Sequence, residues 1–145
     1  MSMFTSMNVS GSALTLQRLR MDVASSNIAN ADTTRAQLVN GEWQPYQRKM
    51  VVQQPHSFSN YLKQEEARLN QGVIAKGIVA DQTPATLIYD PIHPDANEEG
   101  YVAKPNVEIA REMIDMTSAT RSYEANVSAL QASKNMLLKS LEIGR

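Results

Sequence analysis

Few residues of this chain have the type and spacing that catalysis or metal binding requires. The chain holds no cysteine, which excludes thiol nucleophiles, thiolate zinc sites and disulfides. Its two histidines, His56 and His93, lie outside helical ligand spacing and beside no nucleophile motif. His93 stands between Asp90 and Asp95 in a segment of turn-forming residues, which indicates a loop residue rather than a metal ligand. We therefore predict no catalytic, metal-binding or cofactor-binding residue, and no enzyme activity.

Composition and charge exclude several further classes of protein. With 145 residues the chain has room for one modest core. Fourteen basic and fifteen acidic residues leave a net charge of -1, which does not favour nucleic acid or an anionic membrane surface as a partner. No stretch reaches the ~18 apolar residues of a membrane span, and the first residues lack the pattern of a cleavable secretory signal. We expect a cytosolic protein, or one that is exported without a cleavable signal.

Helix-breaking residues are concentrated in the middle of the sequence. Neither Gly nor Pro occurs from Ser12 to Asn40 or from Asn106 to Ile143, whereas all six Pro lie between these two segments. This pattern predicts a mainly α protein with a small β-containing insert, in which long N- and C-terminal helices pair as a coiled coil. We expect residues 1–35 and 106–145 to form one domain, with residues 36–105 as an insert of short strands and loops.

The C-terminal segment has the strongest periodicity. Residues spaced four and three apart predict a helix from Val107 to Ile143, with Asn106 as its N-cap and only Thr120 and Lys134 off the heptad pattern. This first row consists of Ile109, Met113, Met116, Tyr123, Val127, Leu130, Leu137 and Leu141. Such a helix is about 55 Å long, and a compact chain of this size is roughly 30–40 Å across. We therefore expect the helix to contact neighbours outside its own subunit.

Small side chains form a second row on the same helix. It consists of Ser118, Ser122, Ala125, Ala129, Ala132 and Met136. Small residues let a neighbouring backbone come close, which favours a second helix-to-helix contact. The alternative is an ordinary helix surface that happens to be rich in Ala and Ser.

Two apolar rows also mark the N-terminal segment. One recurs every seven residues and consists of Met7, Leu14, Met21 and Ile28. The other lies roughly 200° away around the helix and consists of Val9, Leu16 and Val23. Because both faces are apolar, we expect this helix to lie between partners and to pair with the C-terminal helix in an antiparallel or inclined arrangement. The rows on both helices are the predicted subunit interface.

The middle segment contains three short β-prone runs, compatible with one or two hairpins or with a small sheet packed on the helices. The runs are Met50–Gln53, Val73–Val79 and Thr86–Tyr89. Gly72 and Gly77 stand where they could serve turns or bulges. A helical turn or two is predicted from Ser59 to Leu69.

Two longer motifs carry a resemblance to a known family. The stretch SSNIANADTTR, residues 25–35, resembles the motif that flagellar rod and hook axial proteins share just after their first helix. The stretch from Tyr89 to Leu130, YDPIHPDANEEGYVAKPNVEIAREMIDMTSATRSYEANVSAL, resembles the signature region of the FlgC family of flagellar basal-body rod proteins. The segment from Gln53 to Ala80 has no distinctive match.

The polar residues of both motifs have a structural interpretation. Short side chains of the first motif are expected to end the first helix and shape the turn after it. They belong to Asn27, Asn30, Asp32, Thr33 and Thr34. The second motif contains Tyr89, Asp90, Pro91, His93, Pro94, Asp95, Gly100, Tyr101, Pro105 and Asn106. Pro91 and Pro94 favour an extended path and a rigid connector, which we expect to dock against the base of the helices or against a neighbour.

The resemblance implies a structural subunit of the proximal rod, which assembles into a tubular shaft and transmits torque from the motor to the hook. It implies export through the flagellar type III apparatus without a cleavable signal, to the periplasmic part of the basal body. The implied partners are copies of the chain, other rod proteins and the export apparatus, with no nucleic acid, small-molecule substrate or membrane span. Two alternatives stay open: a cytosolic coiled-coil adaptor or chaperone, and another short rod protein of the same family.

Overall fold

The computed structural model describes residues 3–39, 41–55 and 72–143. Within them the chain runs from a long helix through short strands to a second long helix. In chain order the elements are α1 (Met3–Ala29), β1 (Gln37–Val39), β2 (Glu42–Gln44), β3 (Lys49–Pro55), β4 (Val73–Ala80), β5 (Thr86–Tyr89), β6 (Tyr101–Lys104) and α2 (Ile109–Ile143). This order confirms the predicted plan of two terminal helices around an insert of short strands. The helical turn predicted from Ser59 to Leu69 lies outside the described residues.

The two helices lie side by side and run antiparallel. Near the end of α1, Asn27 Nδ2 donates a hydrogen bond of 2.9 Å to Glu112 Oε2 at the start of α2. Further back in α1, Met21 Sδ lies 3.4 Å from Thr120 Oγ1, which is further along α2. The antiparallel direction is one of the two predicted arrangements, while the coiled-coil supercoil stays a prediction. With 35 residues, α2 is about 52 Å long.

Helix α1 is enclosed by two parts of its own chain. It packs against α2 and against both β3 and β4. Where β4 begins, Val73 N donates to Ser12 Oγ at 3.2 Å, and a Cβ added to Gly72 would lie 2.4 Å from that oxygen, so the close approach requires a glycine. On the same helix face, Leu16 is 3% exposed and Val23 is 8% exposed. These two side chains therefore stabilise the fold of the subunit itself.

The insert forms three separate antiparallel pairs among the described residues: β1 with β2, β3 with β4, and β5 with β6. The predicted β-prone runs lie within β3, β4 and β5, but they do not join into one small sheet. The register of β3 and β4 shifts where Val52 and Gln53 face Gly77 and Ala75, which confirms the expected bulge next to Gly77. The sequence did not predict β1, β2 or β6.

Hydrogen bonds cross the loop that closes the β5–β6 pair. Asp90 N donates to Gly100 O at 2.9 Å, and Asn97 Oδ1 accepts from Tyr101 N at 2.7 Å. Gly100 has a φ of 82°, and a Cβ there would lie 3.0 Å from the ring of Tyr89. The rings of Tyr89 and Tyr101 pack edge to face with centroids 5.4 Å apart. The loop therefore follows a series of turns rather than the extended path predicted from Pro91 and Pro94, while its rigidity stays a prediction.

The subunit buries few of the apolar side chains that the structure describes. The buried ones are Leu16, Val23, Ala24, Tyr46, Val102 and Ala119. Many more large apolar side chains are exposed, and six of these lie on α2: Ile109, Met113, Ile114, Met136, Leu138 and Leu141. Their exposed fractions run from 46% for Ile109 to 72% for Leu141. The long helix therefore carries apolar surface at both ends that its own subunit does not cover.

Candidate functional site

A buried polar cluster joins the end of α1 to β3 and to the start of α2. Its centre is Asn27, which is 1% exposed. The amide nitrogen of Asn27 donates to Lys49 O and to Glu112 Oε2, both at 2.9 Å. The amide oxygen accepts from Lys49 N at 2.9 Å and from the hydroxyl of Tyr46 at 3.0 Å. With two donors and two acceptor positions all used, one side chain ties both helices to the first residue of β3.

An ion pair lies beside Asn27 in the same cluster. Arg48 Nε donates to Glu112 Oε1, and the two residues are 8% and 2% exposed. The guanidinium of Arg48 also lies 3.6 Å from Asp81 and 3.5 Å from Asp115. Burial lowers the pKa of Arg48, but the hydrogen bond to Glu112 and the three negative charges outweigh burial and hold that pKa above its ordinary value. Arg48 is therefore always charged in the folded chain and neutralises the buried Glu112.

The prediction that Asn106 caps α2 is wrong. Glu108 O accepts the first helical hydrogen bond, from Glu112 N at 3.1 Å, which makes Glu108 the N-cap residue. Asn106 Oδ1 instead accepts from Arg48 N at 2.8 Å, and its amide nitrogen donates to Thr83 O at 3.1 Å. The side chain therefore bonds backbone groups of two loop segments and links them to the start of α2.

Asn30 and Thr33 shape the end of α1 as predicted, but the same prediction is wrong for Asn27, which lies within α1 and bonds Lys49, Glu112 and Tyr46 instead. Asn30 Nδ2 donates to Ser26 O at 2.8 Å, which satisfies a carbonyl at the end of the helix. Thr33 Oγ1 donates to Asn30 Oδ1 at 3.3 Å, and Thr33 O then accepts from Tyr46 N at 3.0 Å. The turn after α1 thus leads directly to the residue that completes the polar cluster.

The two family motifs contact each other at this turn. Thr34 Oγ1 donates to Asp95 Oδ2 at 2.7 Å, and Arg35 forms an ion pair with the same carboxylate. Lys104 Nζ lies 3.1 Å from Asp32 Oδ1. The hydrogen bond from Thr34, followed by the hydrogen bond and charge of Arg35, lowers the pKa of Asp95. The connector therefore docks at the base of α1, one of the two places expected for it.

Acid should weaken this contact between the motifs. Because the folded-state pKa of Asp95 lies below its ordinary value of 3.8, its carboxylate stabilises the fold above that pH and loses the contribution as pH falls through the folded-state pKa. We expect the Asp95→Asn variant to be less stable than the parent by a constant amount from about pH 7 to pH 5, with a difference that shrinks below about pH 4. Urea denaturation of both chains across this range measures the difference.

The Glu98→Gln variant is the control for the acid experiment. Glu98 lies on the same loop, is exposed, and forms no ion pair among the described residues. Its substitution should change stability little at any pH. A difference between Asp95→Asn and the parent that stays constant down to about pH 3 would contradict the role of the Asp95 charge.

The structure divides the predicted interface rows between the inside and the outside of the subunit. In the first row of α2, the half-buried members are Met116, Tyr123, Val127, Leu130 and Leu137, and the exposed ones are Ile109, Met113 and Leu141. On α1, the half-buried members are Met7, Val9, Leu14, Met21 and Ile28. The second row of α2 is the most open, with a half-buried Ser122 and with exposed Ser118, Ala125, Ala129, Ala132 and Met136.

Sequence reasoning missed the ion pair of the polar cluster. Glu112 lies at the start of α2 and Arg48 lies in the insert, 64 residues away. One signal was available: Glu112 stands seven residues before the buried Ala119, on the side of α2 that faces α1. An acid at a buried heptad position requires a cationic partner, although its spacing does not reveal which one.

No helix in the described part of the chain is long and apolar enough to cross a membrane. Residues 3–39, 41–55 and 72–143 also contain no group of three His, Asp or Glu side chains that could hold a metal ion. His93 accepts a hydrogen bond through Nδ1 from Asp95 N at 3.1 Å, which agrees with the loop role predicted for it.

Comparisons with known proteins give matches at both ends of the chain and over its full length. Residues 7–37 match a family model described as "Flagella basal body rod protein", and residues 98–143 match one described as "Flagellar basal body rod FlgEFG protein C-terminal". Three curated relatives, each named "Flagellar basal-body rod protein FlgC", come from Bacillus subtilis, Borreliella burgdorferi and Escherichia coli O157:H7. They are 56%, 40% and 38% identical to this chain, over 100%, 99% and 100% of its length and 100%, 98% and 100% of their own.

Proposed function

This chain belongs to the FlgC family of flagellar basal-body rod proteins, and from that premise we propose that its terminal helices pack against copies of itself and other rod proteins to build the proximal rod. It is a structural protein of the basal body and not an enzyme. Family membership sets aside the cytosolic adaptor or chaperone. The full-length matches to FlgC relatives set aside another short rod protein.

The observation that carries the proposal is the uncovered surface along α2. The helix is about 52 Å long, and a compact chain of this size is only about 40 Å across. One side of α2 lies against α1, while Ala125, Ala129 and Ala132 face solvent. Their small side chains let a second helix come close, and burial contributes about 25 cal/mol per Å² of apolar surface. The subunit therefore has a contact surface that its other described residues leave open to a neighbour.

A tubular rod requires an open assembly, in which each subunit uses unlike patches toward its neighbours. A contact between unlike patches continues from one subunit to the next, whereas a contact between two copies of the same patch closes as a dimer. We propose that residues 1–35 and 106–145 form one domain whose helices make the inner wall of a tubular shaft, with the insert outside. The shaft would transmit motor torque to the hook.

The buried polar cluster suits a subunit that carries load. If either helix slid along the other, Glu112 would lose Arg48 and Asn27 while remaining in a buried environment. Breaking such a pair costs about 3–5 kcal/mol, so sliding is opposed in both directions. The cluster would therefore keep the two helices in one register under torque.

We further propose that the chain reaches the periplasmic part of the basal body through the flagellar type III export apparatus, without a cleavable signal. The proposal rests on the family resemblance and on the small number of apolar side chains that the described part of the subunit buries. A chain of modest stability is readily unfolded, which suits passage through a narrow channel.

The Ala129→Glu variant should abolish swimming without unfolding the subunit. Position 129 is exposed in the single chain, so a glutamate there should change stability by no more than about 0.5 kcal/mol. In the assembly it would place a charge where two helices approach, at a desolvation cost of at least about 1–3 kcal/mol per contact. We would introduce the change at the native locus, then measure swimming in soft agar and the chain's abundance in isolated basal bodies.

Ser128→Glu is the matched control, because this neighbouring residue is also exposed but points about 100° away around the helix. We expect the control strain to swim as the parent does. If Ala129→Glu also swims normally, the second row of α2 is not an assembly surface. If the parent chain itself is absent from basal bodies, the proposed packing in the rod is wrong.

A further inference from the structure

The β1–β2 pair carries an exposed apolar knob. Leu38 and Trp43 are cross-strand partners, 58% and 56% exposed, and Trp43 is the only tryptophan of the chain. Each strand has three residues, and all six are exposed. A strand pair of this size is marginal alone in water. An uncovered tryptophan and leucine on such a pair indicate a contact made outside the subunit.

An open, shallow surface of matching chemistry, called here the Met113–Arg121 pocket, lies on the solvent side of α2. It is lined by Met113, Ile114, Thr117, Ser118, Arg121 and Ser122. Met113 is 58% exposed and Ile114 is 70% exposed. Arg121 is exposed as well and forms no ion pair among the described side chains. A thioether and an aliphatic side chain pack well on an indole, and a guanidinium stacks on its electron-rich face.

We propose that the Leu38–Trp43 knob of one copy inserts into the Met113–Arg121 pocket of a second copy. This inference rests on the proposed assembly of like subunits and adds one specific contact to it. Knob and pocket are both open in the single subunit, so they do not fill each other within one chain. The positive charge of Arg121 complements the negative face of the indole. One chain thus supplies both halves of the contact, and the contact repeats from copy to copy without closing as a two-fold dimer.

The contact is small, which fits its place beside a larger interface. A knob of two side chains buries far less than the roughly 1,200 Å² that a specific stable interface needs. It therefore does not hold two free subunits together in dilute solution. Once the helices hold neighbouring copies side by side, the second contact forms within the assembly and gains from the high local concentration.

Cross-linking tests the contact cleanly, because the chain has no cysteine of its own. A Leu38→Cys variant and a Thr117→Cys variant are produced together in the native bacterium, and the isolated basal bodies are treated with a short bismaleimide. Both variants keep Trp43 and Arg121. We expect about tenfold more cross-linked dimer than with the pair Ile92→Cys and Thr117→Cys, since Ile92 is 93% exposed and lies outside the knob. Adding Trp43→Ala to the Leu38→Cys chain should return the yield to the control level.

Each outcome decides a different claim. If the chain is present in basal bodies but the cross-link stays at the control level, the knob and pocket do not meet, while the proposed rod assembly stands. If Leu38→Cys is captured mainly by a different rod protein, the second copy is the wrong partner. If the chain is absent from basal bodies, the proposed assembly fails and this contact fails with it.

Discussion

Replacing Arg48 with methionine should lower the free energy of unfolding by about 3–5 kcal/mol, because the change leaves Glu112 buried without its cationic partner. Glu112 is 2% exposed, and Asp81 and Asp115 lie within 3.6 Å of the same guanidinium. Without Arg48, three carboxylates face one another. Since a domain of this size has a total stability of about 5–15 kcal/mol, the loss would remove a large fraction of that stability. Urea denaturation followed by far-ultraviolet circular dichroism measures the change in the free energy of unfolding.

Arg111→Met is the matched control for this experiment. Arg111 lies on the same helix as Glu112, is exposed, and forms no ion pair among the described residues, so its loss should cost no more than about 0.5 kcal/mol. A double variant, Arg48→Met with Glu112→Leu, tests whether the unpaired charge causes the loss. Removing both charges should restore most of the stability, because a packed apolar pair is often as stable as a buried ion pair. An Arg48→Met chain as stable as Arg111→Met would contradict the role of the cluster.

The sequence predicted those helices and strands whose signal lies within the element itself and does not depend on distant residues. Heptad spacing placed the start of α2 at Val107, and the structure begins it at Ile109. The β-prone run at Thr86–Tyr89 coincides with β5. The heptad spacing of α2 repeats often enough along one face to be seen within the segment, whereas Thr86–Tyr89 was recognised by its β-prone residue types. In β1 each face holds no more than two residues, and no repeat can appear.

The contacts that the sequence could not predict join segments that are far apart in the chain. Arg48 and Glu112 are 64 residues apart, and Thr34 and Asp95 are 61 residues apart, so only the completed fold brings each pair together. Asn106 was assigned wrongly because an asparagine after a proline suits an N-cap and a loop contact equally well. Local chemistry limits what a side chain can bond, but topology decides which partner it meets.

The apolar rows also show that the sequence does not reveal which partner a surface meets. Spacing predicted correctly that α1 has two apolar faces, but it could not tell a partner within the chain from a neighbouring subunit. The structure encloses Leu16 and Val23 within the subunit and leaves Ala129 exposed on α2. Assembly surfaces and core surfaces are both apolar, because burial stabilises both in the same way. Only the structure of the single subunit shows which of them its own chain covers.

Replacing Asn27 with alanine should cost about 2–4 kcal/mol, because two backbone groups lose their partner at once and each unpaired group costs about 1–3 kcal/mol when shielded from water. These groups are the N–H and the carbonyl of Lys49, which bond the two ends of the Asn27 amide at 2.9 Å. Glu112 also loses one of its donors. Denaturation in urea gives the total loss. Amide hydrogen exchange at Lys49 gives its location, since that N–H should become labile while amides in the middle of α2 stay protected.

Two further substitutions separate hydrogen bonding from side-chain volume at this position. Asn8→Ala on the exposed side of α1 controls for the change in helix propensity and should cost little. Asn27→Asp keeps the size and the acceptor oxygen but exchanges the donor to Glu112 for a second negative charge. If the donors of Asn27 hold the cluster together, Asn27→Asp should be less stable than Asn27→Ala at neutral pH, because two carboxylates would face each other in a buried site. If the side chain only fills space, the order reverses, and the amide would not be what joins the two helices to β3.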